Sequence, residues 1–151
     1  MVKKIEKVLK NDIFLNNSQL REEYKGDILV FCSGVDDINV LCNIFEKFVN
    51  CRCFKVFPLH GKIAVGEQKE VFLRTKEYKI IFATRIAETS ITINGVKVVI
   101  DPGVDRELVY DQKYRVSSRK LVNISQSSAK QRAGRAGRTQ RGYCFRLYSE
   151  V

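Results

Sequence analysis

Residues 79–101 read Lys79-Ile80-Ile81-Phe82-Ala83-Thr84-Arg85-Ile86-Ala87-Glu88-Thr89-Ser90-Ile91-Thr92-Ile93-Asn94-Gly95-Val96-Lys97-Val98-Val99-Ile100-Asp101. Two short, nearly unbroken apolar runs, 79–83 and 96–101, flank the twelve residues 84–95. A run that stays apolar on both of its alternating faces has the pattern of a strand covered on both sides, as strands of parallel sheets are. A connection of about a dozen residues is the shortest that returns the chain to a parallel neighbour. The stretch therefore predicts strand, crossover and parallel strand.

The same alternation extends outward. Ile28 to Cys32 and Phe54 to Leu59 are further strand-like runs. Between them Val35, Ile38, Leu41, Cys42, Phe45 and Phe48 recur at helical spacing, and residues 66–74 read as a helix with Val71 and Phe72 in its last turn. Toward the N-terminus, Val2, Ile5, Val8 and Leu9 fall on one helical face. A polar stretch through Asn16, Asn17 and Ser18 then leads to a short helical turn at Tyr24, which Gly26-Asp27 breaks. After Val104 the alternation stops. Leu108-Val109-Tyr110 and Leu121 to Ile124 flank a polar centre, which predicts an extended antiparallel hairpin over 104–124. A helix over about 127–137 and a last strand, Tyr143 to Leu147, follow. Strands alternating with helices make an α/β domain with a mainly parallel sheet: one domain over 1–151, with 1–25 as a helical lead-in.

Composition bounds what such a domain does. Of 151 residues, 44% are apolar and 29% charged, enough for a packed core and against intrinsic disorder. Unbroken apolar runs reach about five residues, where a membrane helix needs roughly 20, so no membrane partner is expected. The opening Met-Val-Lys-Lys-Ile-Glu has no signal-peptide core. Five cysteines, an odd number without an export signal, read as reduced thiols in a cytoplasmic or nuclear protein. Cys51 and Cys53 lie near Cys42 but have no second pair at ligand spacing, so no metal centre is expected. His60 is the only histidine, which excludes histidine-based acid–base catalysis and multi-histidine metal sites; it reads as a structural residue or one that faces a nucleic acid. The net charge is +10. Residues 104–141 hold ten basic and three acidic residues, and 112–141 hold no acid. So uneven a distribution points to a polyanion partner, nucleic acid or nucleotide phosphate.

Ligands of open parallel sheets bind beyond the carboxyl ends of the strands, where the segment beginning at Thr84 lies. Its hydroxyls and the N–H groups of a helix start suit phosphate; they equally suit an ordinary crossover turn with Thr89 or Ser90 as cap. The second candidate is Gln131-Arg132-Ala133-Gly134-Arg135-Ala136-Gly137-Arg138. A continuous helix places Gln131, Arg135 and Arg138 on one face. Its two internal glycines would each cost about 1 kcal/mol relative to alanine, which predicts a close approach of backbone to a strand or a phosphate. Arginine forks match phosphate oxygens and stay charged.

Together these segments resemble motifs V (83–93) and VI (131–138) of DEAH-box ATP-dependent RNA helicases, a superfamily-two group. Ile28 to Gly34 resembles the family's motif IV strand, Phe57-Pro58-Leu59-His60-Gly61 the strand after it, and Asp101-Pro102-Gly103 the approach to its β-hairpin. The resemblance spans about Gly26 to Tyr148. It implies the second RecA-like domain: a three-layer α/β fold with a mainly parallel sheet and an inserted antiparallel β-hairpin. It implies ATP with Mg as ligand, the metal held mainly by a first RecA-like domain. RNA, that first domain and C-terminal domains of the same parent chain would be partners. Carried over by position, Gln131 would orient the attacking water or γ-phosphate, and Arg135 and Arg138 would be arginine fingers. Phe72 would stack on adenine, Asn94 would face the ribose, and Thr89 with Ser90 would shape the turn between nucleotide and RNA sites. Gly61, Thr84 and Arg85 would lie near the RNA backbone. Lys113, Arg115, Arg119 and Lys120 would give the hairpin its RNA-binding charge, and Val104 to Ser117 would guide or separate strands.

Three departures stand out. Arg85 replaces a frequent Asn, Asn94 replaces a frequent acid, and Lys62-Ile63-Ala64 replaces a small-polar, proline-containing stretch. The sequence contains no phosphate-binding loop with its Gly-Lys-Ser/Thr and no Asp-Glu-Ala-His. The resemblance thus implies half of an ATPase, inactive without the first domain, with winged-helix and later domains following Val151. Two other readings compete: a non-catalytic RNA-binding or protein-interaction module retaining the fold, and a DNA-directed relative.

Overall fold

The computed structural model describes residues 1–16, 19–49, 54–63, 65–73, 75–89, 91–138 and 140–149. Ser90, Cys51, Cys53 and Ala64 lie outside them. Five strands form one parallel sheet: β3 (Asp27–Phe31), β4 (Phe54–Leu59), β5 (Tyr78–Ala83), β6 (Val96–Asp101) and β9 (Tyr143–Arg146), in the order β4-β5-β3-β6-β9. The central strand β3 sets the register, with Ile28 opposite Ile80 on one side and Val98 on the other.

Two apolar layers cover the sheet, which is why its strands read as unbroken runs. On one face Ile28, Val30, Ile80, Phe82, Val98 and Ile100 pack with Ile5 of α1 (Val2–Val8) and Ile38, Leu41 and Phe45 of α2 (Val35–Phe48). On the other, Leu29, Phe31, Ile81 and Val99 pack with Val71 of α3 (Val65–Phe72), Ala87 of α4 (Ile86–Thr89) and Ile93. Each large side chain so buried contributes about 1.5–3 kcal/mol. Asp36 and Asp37 in the first turn of α2 complement its N-terminal dipole. This is the expected three-layer RecA-like fold.

The lead-in differs from expectation. A π-helical turn, Leu9–Ile13, continues α1, and β1 (Phe14–Asn16) pairs antiparallel with β2 (Gln19–Leu20). Polar neighbours hid this hairpin in the sequence, but Phe14 and Leu20 are each 2% exposed. The Phe14 ring sits 5.5 Å from Phe48 and 5.3 Å from Phe54.

The basic hairpin forms as expected from β7 (Val104–Asp111) and β8 (Val116–Asn123). It pairs only with itself among the described residues. Of its strand residues only Asp105 is buried.

The helix expected over 127–137 is shorter: α5 is Gln126–Ala133, capped by the Ser125 hydroxyl, which accepts the Ser128 N–H. Gly134 is its C-cap, and Arg135 and Ala136 continue only as tight turns, their N–H groups donating to Arg132 and Ala133 carbonyls. Gly137 then has a φ of +78°, a left-handed conformation that terminates helices. A Cβ on Gly142 would stand 2.4 Å from the Gly137 nitrogen, so the returning chain needs glycine there. Gln131, Arg135 and Arg138 therefore do not share one helical face, and no glycine sits inside the helix. The close backbone approach is nevertheless present, in the turn after it.

Candidate nucleotide and nucleic-acid site

The structure sorts the expected residues onto opposite edges of the sheet. Gly61 follows β4 and Thr84 follows β5, so both lie at the carboxyl edge, where the Thr84 N–H donates to the Leu59 carbonyl at 3.1 Å. The Thr84 and Arg85 carbonyls accept from Ala87 and Glu88 and start α4. Thr89 is the exposed last residue of that helix. It ends the turn rather than capping its start. Arg85 is largely exposed and pairs with Asp105 at 3.4 Å, which ties the edge to the base of the hairpin. His60 uses its Nδ1 to accept the Lys62 N–H and its carbonyl to accept the Gln68 amide. Burial and the charge of Lys62 lower its pKa, and it organises the turn.

Lys113, Arg115, Arg119 and Lys120 are all exposed on the hairpin. The register puts Arg119 opposite Leu108 and Lys120 opposite Glu107, on opposite faces of the ribbon.

Phe72 and Asn94 converge at the amino edge instead. Helix α3 and the 84–95 crossover both run back from the carboxyl edge, and their ends line one cleft of about 380 Å³. The Phe72 ring is 43% exposed there. Its backbone is fixed by Lys79, 4% exposed, whose ammonium donates to the carbonyls of Val71, at 2.8 Å, and Leu73. A cation at a helix C-terminus is favoured by the dipole. Burial lowers the Lys79 pKa and the nearby Asp27 carboxylate partly restores it.

Arg135 reaches the same crossover from α5: its Nη1 donates to the Ile91 carbonyl at 3.3 Å. Its Nε is buried without a partner. Burial lowers its pKa, and the charge of Arg138 adds to this. The two guanidinium groups repel one another, and the charge of Glu88 partly offsets this. Gln131 and Arg138 are exposed.

Sequence reasoning missed the buried group that fastens the carboxyl edge. Arg132 is fully buried, with Nε 2.8 Å from Glu88 Oε1 and Nη1 2.9 Å from Asp101 Oδ1. Its guanidinium lies 4.7 Å from the Phe31 ring centroid. Ser128 donates to Glu88 at 2.6 Å, and the Gly103 N–H and Tyr148 hydroxyl donate to Asp101. Burial and Asp101 push the Tyr148 pKa up to about 12. One ion cluster thus fastens α4, β6, the hairpin's start, α5 and the C-terminal segment. Within a basic run Arg132 looks like surface charge; only its place on the inner side of a short helix, next to Ala129, hints otherwise.

The chain belongs to the helicase conserved C-terminal domain family, which matches residues 3–140. Its relatives are of the DEAH-box group. It is 46% identical over 131 residues to the ATP-dependent RNA helicase DEAH12, chloroplastic, of Arabidopsis thaliana, covering 86% of this chain and 7% of that protein. To the ATP-dependent RNA helicase HrpA of Escherichia coli it is 41% identical over 138 residues, covering 91% of this chain and 10% of that protein. In structure it is similar to the E. coli DExH-box NTPase HrpB, with a TM-score of 0.80 and 26% identity over 99% of this chain and 17% of that one. The chain therefore spans a small part of the relatives it matches. Among the described residues no helix is long and apolar enough to cross a membrane.

Proposed function

We propose that residues 1–151 act as the second RecA-like domain of an ATP-dependent RNA helicase, in a longer chain that also carries a first RecA-like domain. The observation that carries this reading is a cleft at the amino edge lined by Phe72 and Asn94, apart from the carboxyl edge that holds Gly61, Thr84 and Arg85. Phe72 and Asn94 form a nucleotide side, which Arg135 joins through the Ile91 carbonyl, three residues before Asn94. Gly61, Thr84 and Arg85 occupy the opposite edge beside the basic hairpin and form an RNA side. Gln131 is assigned to the attacking water or γ-phosphate, Arg135 and Arg138 to the charge that develops on the transferred phosphoryl group, and Thr89 to the turn between the sides. An exposed aromatic ring, a polar sugar-facing turn and two unpaired guanidinium groups fit base, ribose and phosphates in that order. The magnesium is assigned mainly to the first domain.

Half of a site should not turn over. The purified 151-residue chain is expected to hydrolyse no ATP above background, because arginines cannot replace a phosphate-binding loop and metal-binding acids. A steady-state assay showing turnover that Arg135→Ala abolishes would falsify the half-site assignment.

The hairpin assignment predicts a salt effect. Single-stranded RNA should bind the domain weakly, with log K falling against log salt by about 0.7 for each phosphate neutralised. Replacing Lys113, Arg115, Arg119 and Lys120 together with alanine should flatten that slope. An Arg135/Arg138 double alanine variant should leave it nearly as steep. The opposite result in a salt titration would exchange the two faces.

A further inference from the structure

The amino-edge cleft also contains a carboxylate. Asp27, the first residue of β3, lines it beside Phe72 and Asn94. Its Oδ1 accepts the Lys79 backbone N–H at 2.9 Å, which fixes the carboxyl group. Its Oδ2 accepts a hydrogen bond from no described residue. The turn that faces this oxygen is Asn94-Gly95, where Gly95 has a φ of +84° and a Cβ would stand 3.6 Å from Oδ2. Glycine leaves that approach open.

We propose that Asp27 is a nucleotide-binding residue, its free carboxylate oxygen accepting a hydrogen bond from a ribose hydroxyl of the nucleotide whose base lies on Phe72. This deepens the nucleotide-side reading and rests on it. The chemistry selects the moiety. A carboxylate only accepts hydrogen bonds, so it repels phosphate and takes a neutral hydroxyl donor. The order along the crossover agrees. Asn94 and Gly95 face Asp27, while Ile91, three residues earlier, holds Arg135, so the sugar position lies between the base platform and the Arg135 guanidinium. Burial raises the Asp27 carboxyl pKa, and the Lys79 N–H and ammonium pull it back. A partly buried carboxyl group in a cleft, its pKa raised by burial against specific partners, is a common property of ligand sites.

The test uses the longer helicase chain and three nucleotides: ATP, 2′-deoxy-ATP and 3′-deoxy-ATP. Wild type should show a KM about tenfold or more higher for at least one deoxy analogue, the usual effect of losing a hydrogen bond to a charged group. Asp27→Asn keeps an oxygen to accept the Lys79 N–H, so its unfolding temperature should not fall. Its KM ratio between ATP and that analogue should shrink to below about threefold. Phe72→Ala should raise KM for all three nucleotides alike. If Phe72→Ala changes no KM, the base-stacking reading fails. If Phe72→Ala acts as expected but Asp27→Asn keeps the wild-type ratio, or wild type shows no preference among the three, the Asp27 assignment is overturned and the stacking reading stands.

Discussion

Alanine at Arg135 or at Arg138, introduced into the longer helicase chain, is expected to lower kcat for ATP hydrolysis by about 10³–10⁵. KM for ATP should move by less than about tenfold, because these contacts strengthen as charge develops on the transferred group. The local geometry supports unequal detail between the two. Arg135 is half-buried and braced by the Ile91 carbonyl, so its guanidinium is held before nucleotide arrives. Arg138 is exposed beyond the left-handed Gly137 and is held by no described side chain. Arg135→Lys should rescue little, since an ammonium lacks the planar fork that can donate to the bound group while braced on Ile91. Steady-state kinetics with an unchanged kcat in both alanine variants would reject the finger assignment.

Arg132→Leu should be the most destabilising single change in the domain, costing about 3–5 kcal/mol. The loss is not that of one favourable pair. It is the penalty of leaving the Glu88 and Asp101 carboxylates buried, each 6% exposed or less as side chains, without a counter-charge. Urea unfolding of the 151-residue chain measures it. The triple variant Arg132→Leu, Glu88→Gln, Asp101→Asn removes the charges together and should be more stable than the single variant. If Arg132→Leu costs under about 1 kcal/mol, or if the triple variant is the weaker, the cluster does not hold the elements together as described.

Much of the fold was legible because the sheet is covered on both faces, so β3, β5 and β6 appear as unbroken apolar runs. Their order was not, since an apolar run carries no record of its neighbours. The end of α5 was misplaced for a specific reason. The 3.6-residue spacing of Gln131, Arg135 and Arg138 continues through Gly134, yet a glycine after a helical stretch is the commoner stop signal. Phe72 and Asn94 were named individually, but their meeting depends on two crossovers returning to the same edge, which local pattern does not encode. Arg132 was hidden for the opposite reason: its partners, 31 and 44 residues away in sequence, are invisible to any window. Asp27 looked like half of a Gly-Asp turn and carried no sign that one of its oxygens would face a cleft.

The two-stranded ribbon β7–β8 has a consequence for how the domain behaves among other chains. The outer strands of the main sheet are guarded: Pro58 on β4 has no N–H to offer a neighbour, and β9 is only four residues long. The ribbon has no such protection. Among the described residues both of its outer edges are unpaired, and Leu108, Tyr110 and Leu121 on one face are 56–70% exposed. Unpaired edges beside exposed apolar side chains are where strangers add strands. The net charge of +10 on the whole chain then opposes contact between copies of it. Colloidal stability of the free domain is thereby tied to ionic strength: added salt lowers the barrier to self-association.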